Sequence, residues 1–396
     1  MPDQECISSR AVTFVPQAPQ FFDVLDDLWH PESNPNGIVN LGLAENLHAS
    51  PHTLTYGDGF TGSKRLKTAL CQFLNRYFKP LKPLQPAHLF ATPGVGNALE
   101  CCAWSLFDQG DSVLIGRPYW SAFNYIFKIR AQVDVREVSF GTIDPFSLDA
   151  VWEYEKEFIR ARKESKPVKA ILLCSPHNPL GRCYSEEVLK AYMRLCGKLD
   201  LHLISDEIYG LSDFGATGLR IGCLVSQSNS LFLKSLESFS LFNFPSSLAD
   251  GVVASLLEDR TFIERFIVSY RKRLAESYAY AGQFFRTHGI PYMEANASLF
   301  LMINLGAVVQ DKTLTDSDIL VLLRKKKVYV AAGSGYRIEQ SGWFRLVIAH
   351  PEPVLDEGLR RIVEALMLQE SSTLESARIA EKDESQKLTA LRAKTE

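Results

Sequence analysis

The sequence lacks three things whose absence each removes a class of function: cysteines at metal-binding spacing, an excess of basic charge, and any long apolar run. Its eight cysteines (Cys6, Cys71, Cys101, Cys102, Cys174, Cys183, Cys196 and Cys223) form no CxxC pair and lie scattered through apolar segments. They read as reduced, mostly buried thiols. The eight histidines are isolated, and His177, the best placed, has no His, Cys or acid at ligand spacing, so no metal site is expected. Lys plus Arg number 43 against 46 Asp plus Glu, a formal charge of -3 that gives no electrostatic reason for a nucleic-acid or anionic-membrane partner. A Ser-His-Asp hydrolase is unsupported, since there is no GxSxG elbow. No segment approaches the ~18 uninterrupted apolar residues of a membrane span, and the amino terminus MPDQECISSRAVTF has no basic stretch followed by an apolar run. The expectation is a cytoplasmic protein without membrane partners.

What the sequence does have is the composition of an ordinary enzyme: 396 residues, 46% hydrophobic and 22% charged, with 24 Phe and 14 Tyr. That length predicts two or three packed units with a sizeable core. Residues 1 to 50 are Pro- and Asn-rich and read as an arm. From Leu66 to Phe78 apolar residues recur at helical spacing, and a strand-helix rhythm follows. Strands are predicted at His88–Thr92, Ser112–Ile115, Val133–Val138, Val168–Cys174 and Leu201–Ile204. Helices are predicted at Ala98–Phe107, Phe123–Ile129, Leu148–Lys163 and Glu186–Lys198. Continuous apolar runs such as VKAILLC are the pattern of parallel strands covered on both faces, so the fold class is α/β with a doubly wound, mostly parallel sheet. A long helical stretch, Ser247–His288, links this region (51–285) to a smaller α+β domain (286–370). There Leu299–Asn304, Lys327–Val330 and Phe344–Ala349 are predicted strands around the helices Thr315–Lys325 and Glu357–Leu368. Residues 371–396 form a polar tail.

Doubly wound sheets bind ligands at the carboxyl ends of their strands. Five such loops carry polar groups. Thr92–Ala98 (TPGVGNA) is a glycine turn opening a helix, where free N–H groups and the helix dipole favour phosphate, although glycine there also serves sterics alone. Arg117-Pro118-Tyr119-Trp120 places aromatic rings at the next strand end. Cys174–Gly181 (CSPHNPLG) is rigidified by two prolines and presents Asn178. Ser205–Tyr209 puts Asp206 after a strand, able either to hold a protonated ring nitrogen or to cap a helix. Asp213–Gly222 sets Arg220 beside two glycines, which suits a phosphate dianion.

In order and spacing these loops resemble the class I pyridoxal-phosphate aminotransferases of fold type I, and among them the aminocyclopropane-carboxylate synthase-like group. The resemblance extends over Gly42-Leu43-Ala44-Glu45-Asn46, Tyr56-Gly57-Asp58 with Gly62, Asn296–Phe300 and Gly342-Trp343-Phe344-Arg345, nearly the whole chain except the tail. It implies pyridoxal 5'-phosphate as cofactor, with Val95, Gly96, Asn97 and Arg220 at its phosphate and Trp120 stacked on its ring. Asn178 and Tyr209 would bond the ring hydroxyl and Asp206 the ring nitrogen. Arg345 and Glu45 would face the amino-acid substrate. Tyr56 would reach the phosphate of a partner subunit in a homodimer, with Phe60 as the competing alignment. The implied activity is transamination or a synthase- or lyase-like elimination at Cα, carbon–sulfur lysis included.

One element of the pattern is absent. The family places its Schiff-base lysine just before the Arg220 motif, but the sequence there reads Gly210-Leu211-Ser212-Asp213-Phe214, and the lysine expected between Ser212 and Asp213 is missing. So is a helix-and-strand unit of about 30 residues that the family carries between its aspartate and its lysine. Three explanations compete: a gap in the reading frame, which the otherwise intact site favours; a non-catalytic protein of the same fold that binds cofactor or a partner; or an enzyme using another base. Lys234, the nearest downstream lysine, reads as a solvent-facing residue of a helix.

Overall fold

The computed structural model describes residues 7–14, 27, 29, 32–38, 58–210 and 214–367. The chain divides into two compact units, one made of residues 1–116, 122–176 and 184–269, the other of 117–121, 177–183 and 270–396.

In the first unit, helix α1 (Ser9–Phe14) precedes α2 (Lys64–Tyr77). The alternation then runs β1 (Leu89–Thr92), α3 (Val95–Leu106), β2 (Ser112–Gly116), α4 (Ala122–Lys128), β3 (Asp134–Val138), α5 (Leu148–Lys163), β4 (Val168–Cys174), α6 (Glu186–Leu199) and β5 (His202–Asp206). After β6 (Gly222–Val225) come α7 (Ser230–Ser240), α8 (Ser247–Glu258) and α9 (Arg260–Thr287), whose residues from 270 onward belong to the second unit. The helices start where the sequence supplies caps: Ser147 Oγ accepts the Ala150 N–H and Ser185 Oγ that of Val188, and Glu186 and Glu187 add negative charge to the first turn of α6. α6 ends on Asp200 in the left-handed region, φ +55°.

The strands form two sheets. β3-β2-β4-β5 is a parallel four-stranded sheet, and β1 and β6 make an antiparallel pair. Every residue of β1 and β2 is buried, as is all of β4 except Lys169, in line with strands covered on both faces. α5 and α6 lay Tyr154, Val188, Tyr192 and Leu195 over Leu114, Ile171 and Leu173. Each such fully buried large side chain contributes about 1.5–3 kcal/mol relative to exposure. β5 departs from the expected buried strand, for Ser205 is exposed and His202 and Leu203 are half-buried.

The second unit holds the antiparallel sheet β7-β9-β8, from β7 (Phe300–Asn304), β8 (Ala331–Ala332) and β9 (Trp343–Val347), with α10 (Asp316–Lys325) and α11 (Glu352–Met367). Phe285, Leu301, Ile303, Phe344, Leu359 and Ile362 are central to its core. The period of two in β9 buries Phe344 and Leu346 and turns Arg345 to the other face, opposite Met302.

Two expectations are corrected. The predicted strand Lys327–Val330 is not formed: the N–H groups of Lys327 and Val328 still close the carbonyls of Arg324 and Leu323 at the end of α10, and Lys327 is left-handed, φ +60°. The long helical stretch from Ser247 is two helices, because the Asp259 carboxylate accepts the Phe262 N–H and caps a new start.

Candidate functional site

In the first unit the glycine turn opens α3 directly. Gly94 has φ +90°, a region favourable only to glycine, and the N–H groups of Val95, Gly96 and Asn97 are the first of a 12-residue helix and have no intrahelical acceptor. A Cβ added at Gly94 would lie 2.5 Å from Arg220 Nη2 and 2.9 Å from its Cζ, so the guanidinium rests against the turn. A Cβ at Gly222 would meet the Gly94 carbonyl carbon at 2.5 Å. Of the two glycines flanking Arg220, Gly222 is therefore the one that sterics require; at Gly218 a Cβ would meet open space. Arg220 is exposed and itself left-handed, φ +55°, with a long bond from Nη1 to the Thr217 carbonyl (3.4 Å). Among the described residues no carboxylate pairs with it. The Asn97 side chain turns along the helix and donates to Glu100 at 3.3 Å, which leaves its backbone N–H as its contribution to the turn.

Asp206 closes β5 in register with Cys174, and its carbonyl accepts the Ser175 N–H at 2.9 Å. Its side chain is buried, with 5% of its surface exposed, and Oδ1 accepts the Ile208 N–H at 3.1 Å. Burial pushes its carboxyl up to about 6, with Glu207 adding repulsion and the Ile208 N–H opposing. Among the described residues no Lys, Arg or His pairs with it. Tyr209 lies half-buried in the turn that follows.

In the second unit Asn178 is buried, and its Oδ1 accepts a hydrogen bond from Arg345 Nη1 at 2.9 Å. The Arg345 guanidinium lies 4.4 Å from the Phe300 ring centroid and 4.7 Å from that of Tyr336. Its Nε is buried and has no hydrogen-bond partner, and no carboxylate among the described residues pairs with it. The loop carrying Asn178 is held from outside: the Gly181 carbonyl accepts the N–H groups of Asn296 and Ala297, each at 2.9 Å, and Asn296 Oδ1 accepts that of Cys183 at 3.0 Å. Gly181 has φ +64°, and a Cβ there would meet the Phe300 carbonyl at 2.7 Å. His177 is buried in this loop and is held neutral, its pKa pushed down to about 3 by burial and by Arg182. Trp120 is 37% exposed, next to Tyr119, whose N–H bonds the Tyr336 carbonyl at 2.8 Å.

The structure thus brings Val95, Gly96, Asn97 and Arg220 to one turn, sets Asp206 and Tyr209 at one strand end, and joins Asn178 to Arg345. Tyr336 escaped the sequence reading; it sits at the end of a short 3-10 turn, Gly333–Tyr336, which has no periodic signal. Glu45, Tyr56 and the junction Ser212–Asp213 lie outside the described residues. Phe60, the alternative to Tyr56, is buried against Phe244 with ring centroids 4.7 Å apart. Lys234 is exposed on α7. Among the described residues no helix is long and apolar enough to cross a membrane, and no three His, Cys, Asp or Glu side chains group as metal ligands.

The sequence matches the family described as Aminotransferase class I and II over residues 36–211 and 212–362. It is similar to the probable aminotransferase sirI of Leptosphaeria maculans, 31% identical over 399 residues covering 87% of this chain and 94% of that protein. It is also similar to the 1-aminocyclopropane-1-carboxylate synthase CMW33 of Cucurbita maxima, at 25% identity over 85% of this chain and 80% of that one. Among solved structures, the aspartate aminotransferase of Thermus thermophilus shares the fold with a TM-score of 0.66 and 22% identity, covering 77% of this chain and 82% of its own.

Proposed function

The chain belongs to the class I and II aminotransferase family, and from that premise we propose that it binds pyridoxal 5'-phosphate and acts on the Cα of an amino acid, with transfer of the amino group as the favoured reaction. The similarity to sirI, the relative with the higher identity of the two, favours transfer over the elimination suggested by the synthase.

The observation that carries the reading is the buried carboxylate of Asp206, which has no cationic partner among the described residues. A carboxyl this far from water and without a cation is destabilised as an anion, and a protonated ring nitrogen is the partner that would compensate it. The family resemblance assigns the remaining groups to the same ligand. Arg220 and the N–H groups of Val95, Gly96 and Asn97 offer donors to a phosphate dianion. Asn178 and Tyr209 would take the ring hydroxyl, and Trp120 the ring face. Arg345, with no carboxylate partner among the described residues and its guanidinium flanked by Phe300 and Tyr336, would present a fork for the α-carboxylate of the amino acid. Glu45 and Tyr56 are proposed as substrate- and phosphate-facing, Tyr56 acting across a homodimer.

When bound, the cofactor supplies an electron sink for charge that develops at Cα. The chain's own task is to keep Asp206 ionised opposite the ring nitrogen, to anchor the phosphate, and to orient the substrate through Arg345. Moving the Cα proton needs a positioned base, worth typically 10²- to 10⁴-fold, and no lysine occurs from Leu199 to Leu233. That absence favours a second reading, a cofactor-binding protein without turnover.

Calorimetric titration of the purified chain with pyridoxal phosphate tests the proposal. Binding that inorganic phosphate competes away, and that Arg220→Ala weakens at least tenfold, is the expected result; an absence of binding heat would sink both readings. Amino transfer from an amino acid to a keto acid then separates the enzyme from the silent binder, and light scattering tests the dimer.

A further inference from the structure

α5 carries an apolar row on the face where a surface helix is ordinarily polar. Its inner face is satisfied, for Ala150, Val151, Tyr154 and Ala161 are buried in the core that includes Leu114 and Ile171. On the outer face Leu148, Trp152 and Ile159 are 40%, 60% and 47% exposed. They stand four and seven residues apart, spacings that set them on one side of a helix. Single exposed apolar residues are ordinary, but a row of three with a tryptophan at its middle marks an interaction surface.

The charges along the helix say which partner fits. Residues 148–155 hold three acids, Asp149, Glu153 and Glu155, and no base. Residues 156–163 hold four bases, Lys156, Arg160, Arg162 and Lys163, against the single acid Glu157. The three glutamates are paired within the chain, Glu153 with Lys156, Glu155 with Lys198 and Glu157 with Arg160. Asp149, Arg162 and Lys163 are exposed, and their side chains enter no ion pair among the described residues. Asp149, Lys156 and Lys163 recur every seven residues, so they border the apolar row along one side.

A face with acid at one end, base at the other and apolar residues between is complementary to its own reverse. Laid antiparallel across a two-fold axis, two copies of α5 set Leu148 over Ile159 and bring the two Trp152 rings together near the axis. Asp149 of each copy then falls between Lys156 and Lys163 of the other, and the two helix dipoles run in opposite senses, the favourable arrangement. A parallel arrangement would set acid against acid and base against base.

We infer that α5 is a docking surface for a second copy of this chain, seated antiparallel through Leu148, Trp152 and Ile159 and steered by Asp149 against Lys156 and Lys163. One helix face is smaller than the about 800 Å² per partner of a standard interface, so the association is weak, in the micromolar to millimolar range. α5 carries none of the residues assigned to the cofactor or the substrate, and the contact is separate from the homodimer proposed through Tyr56.

Sedimentation velocity of the 396-residue chain without cofactor, read from about 5 to about 500 µM, tests the inference. The weight-average mass is expected to approach a doubling over that range, and Trp152→Ser is expected to abolish the rise. Asp149→Lys, and separately Lys156→Glu combined with Lys163→Glu, should each weaken association at least tenfold. An equimolar mixture of these two variants should regain the association of the parent, because every acid again meets a base in the other chain. All the substituted side chains are exposed, so the variants keep the fold of the parent. A mass independent of concentration, a rise that survives Trp152→Ser, or a mixture that stays dissociated would each overturn the inference, and a face meant for a different protein would give the first of these results. None of the readings involves cofactor, so their failure is distinct from failure of the proposed function.

Discussion

Arg345 and Asn178, far apart in sequence, share one hydrogen bond of 2.9 Å, and it is the only polar side-chain partner of Arg345 among the described residues. A guanidinium has five N–H donors, and here Phe300 and Tyr336 flank it while Nε is buried and unbonded. The group is fixed in place with donors to spare. Replacing it by lysine keeps the charge but removes the fork. Arg345→Lys is expected to weaken binding of an α-amino acid to the cofactor-loaded chain by about 10- to 100-fold, the worth of one hydrogen bond to a charged group. Affinity for the cofactor itself should stay within twofold. Equal loss of both affinities would show that Arg345 serves the fold and not the substrate.

Asp206 gives a pH signature with a definite sign. Its folded-state value, about 6, lies above the ordinary carboxylate value of 3.8, so between about pH 4 and pH 6 the folded chain holds a proton that the unfolded chain has lost. Stability contributed by this group is therefore greatest below pH 4 and declines as pH rises to 6, by at most about 3 kcal/mol. Asp206→Asn removes that decline. Without cofactor the variant is expected to unfold at a higher temperature than the parent at pH 7 and at the same temperature at pH 4. With pyridoxal phosphate added the order should reverse, since the amide cannot compensate a cationic ring. Matching melting curves for parent and variant at every pH would refute the assignment of an unpaired buried carboxyl.

Ser63 tests the packing of α2 on α8. Its Oγ accepts the Leu66 N–H at 2.9 Å and donates to Asp250 at 2.6 Å, while its own N–H bonds the other oxygen of Asp250 at 2.9 Å. Ser63→Ala deletes the cap and one of the two bonds to a buried carboxylate. Urea denaturation is expected to show a loss of about 1–2 kcal/mol with an unchanged slope. Asp250→Asn keeps a single carbonyl oxygen, an acceptor for one of the two bonds, and sets an NH2 donor against the other Ser63 group, so it should lose at least as much as Ser63→Ala.

Much of this architecture is written in periodicity. Leu148–Lys163 and Val168–Cys174 form at the predicted limits, because a capped amphipathic run and a continuous apolar run between turns leave little choice. Asp206, Asn178 and Arg220 were legible because a strand end followed by a polar or glycine-rich loop is a recognisable pattern. What periodicity does not carry is long-range pairing. Arg345 meets Tyr336 because a 3-10 turn delivers the ring to the outer face of β9. The half-exposure of β5 follows from its place at the end of its sheet, and LHLI reads the same at an edge as in an interior. The break at Asp259 was hidden for a different reason, since a capping aspartate inside a helical run looks like one more surface charge.

Gly94 is where backbone and site geometry meet, and its replacement makes the sharpest test of the turn. At φ +90° any L side chain is strained, at a cost of about 1–3 kcal/mol. The added Cβ would also stand 2.5 Å from Arg220 Nη2, so the guanidinium must move off the turn. Gly96, the second glycine of the turn, has helical φ and no atom within 4 Å of a built Cβ. Gly94→Ala is therefore expected to lower the melting temperature and to reduce affinity for pyridoxal phosphate by tenfold or more, while Gly96→Ala leaves both near the parent values. Thermal unfolding and calorimetric titration of the two variants side by side separate backbone strain from simple loss of glycine. If Gly94→Ala lost stability but bound the cofactor as the parent does, Arg220 would not be a phosphate ligand, and the anion site would have to be built from the α3 N–H groups alone.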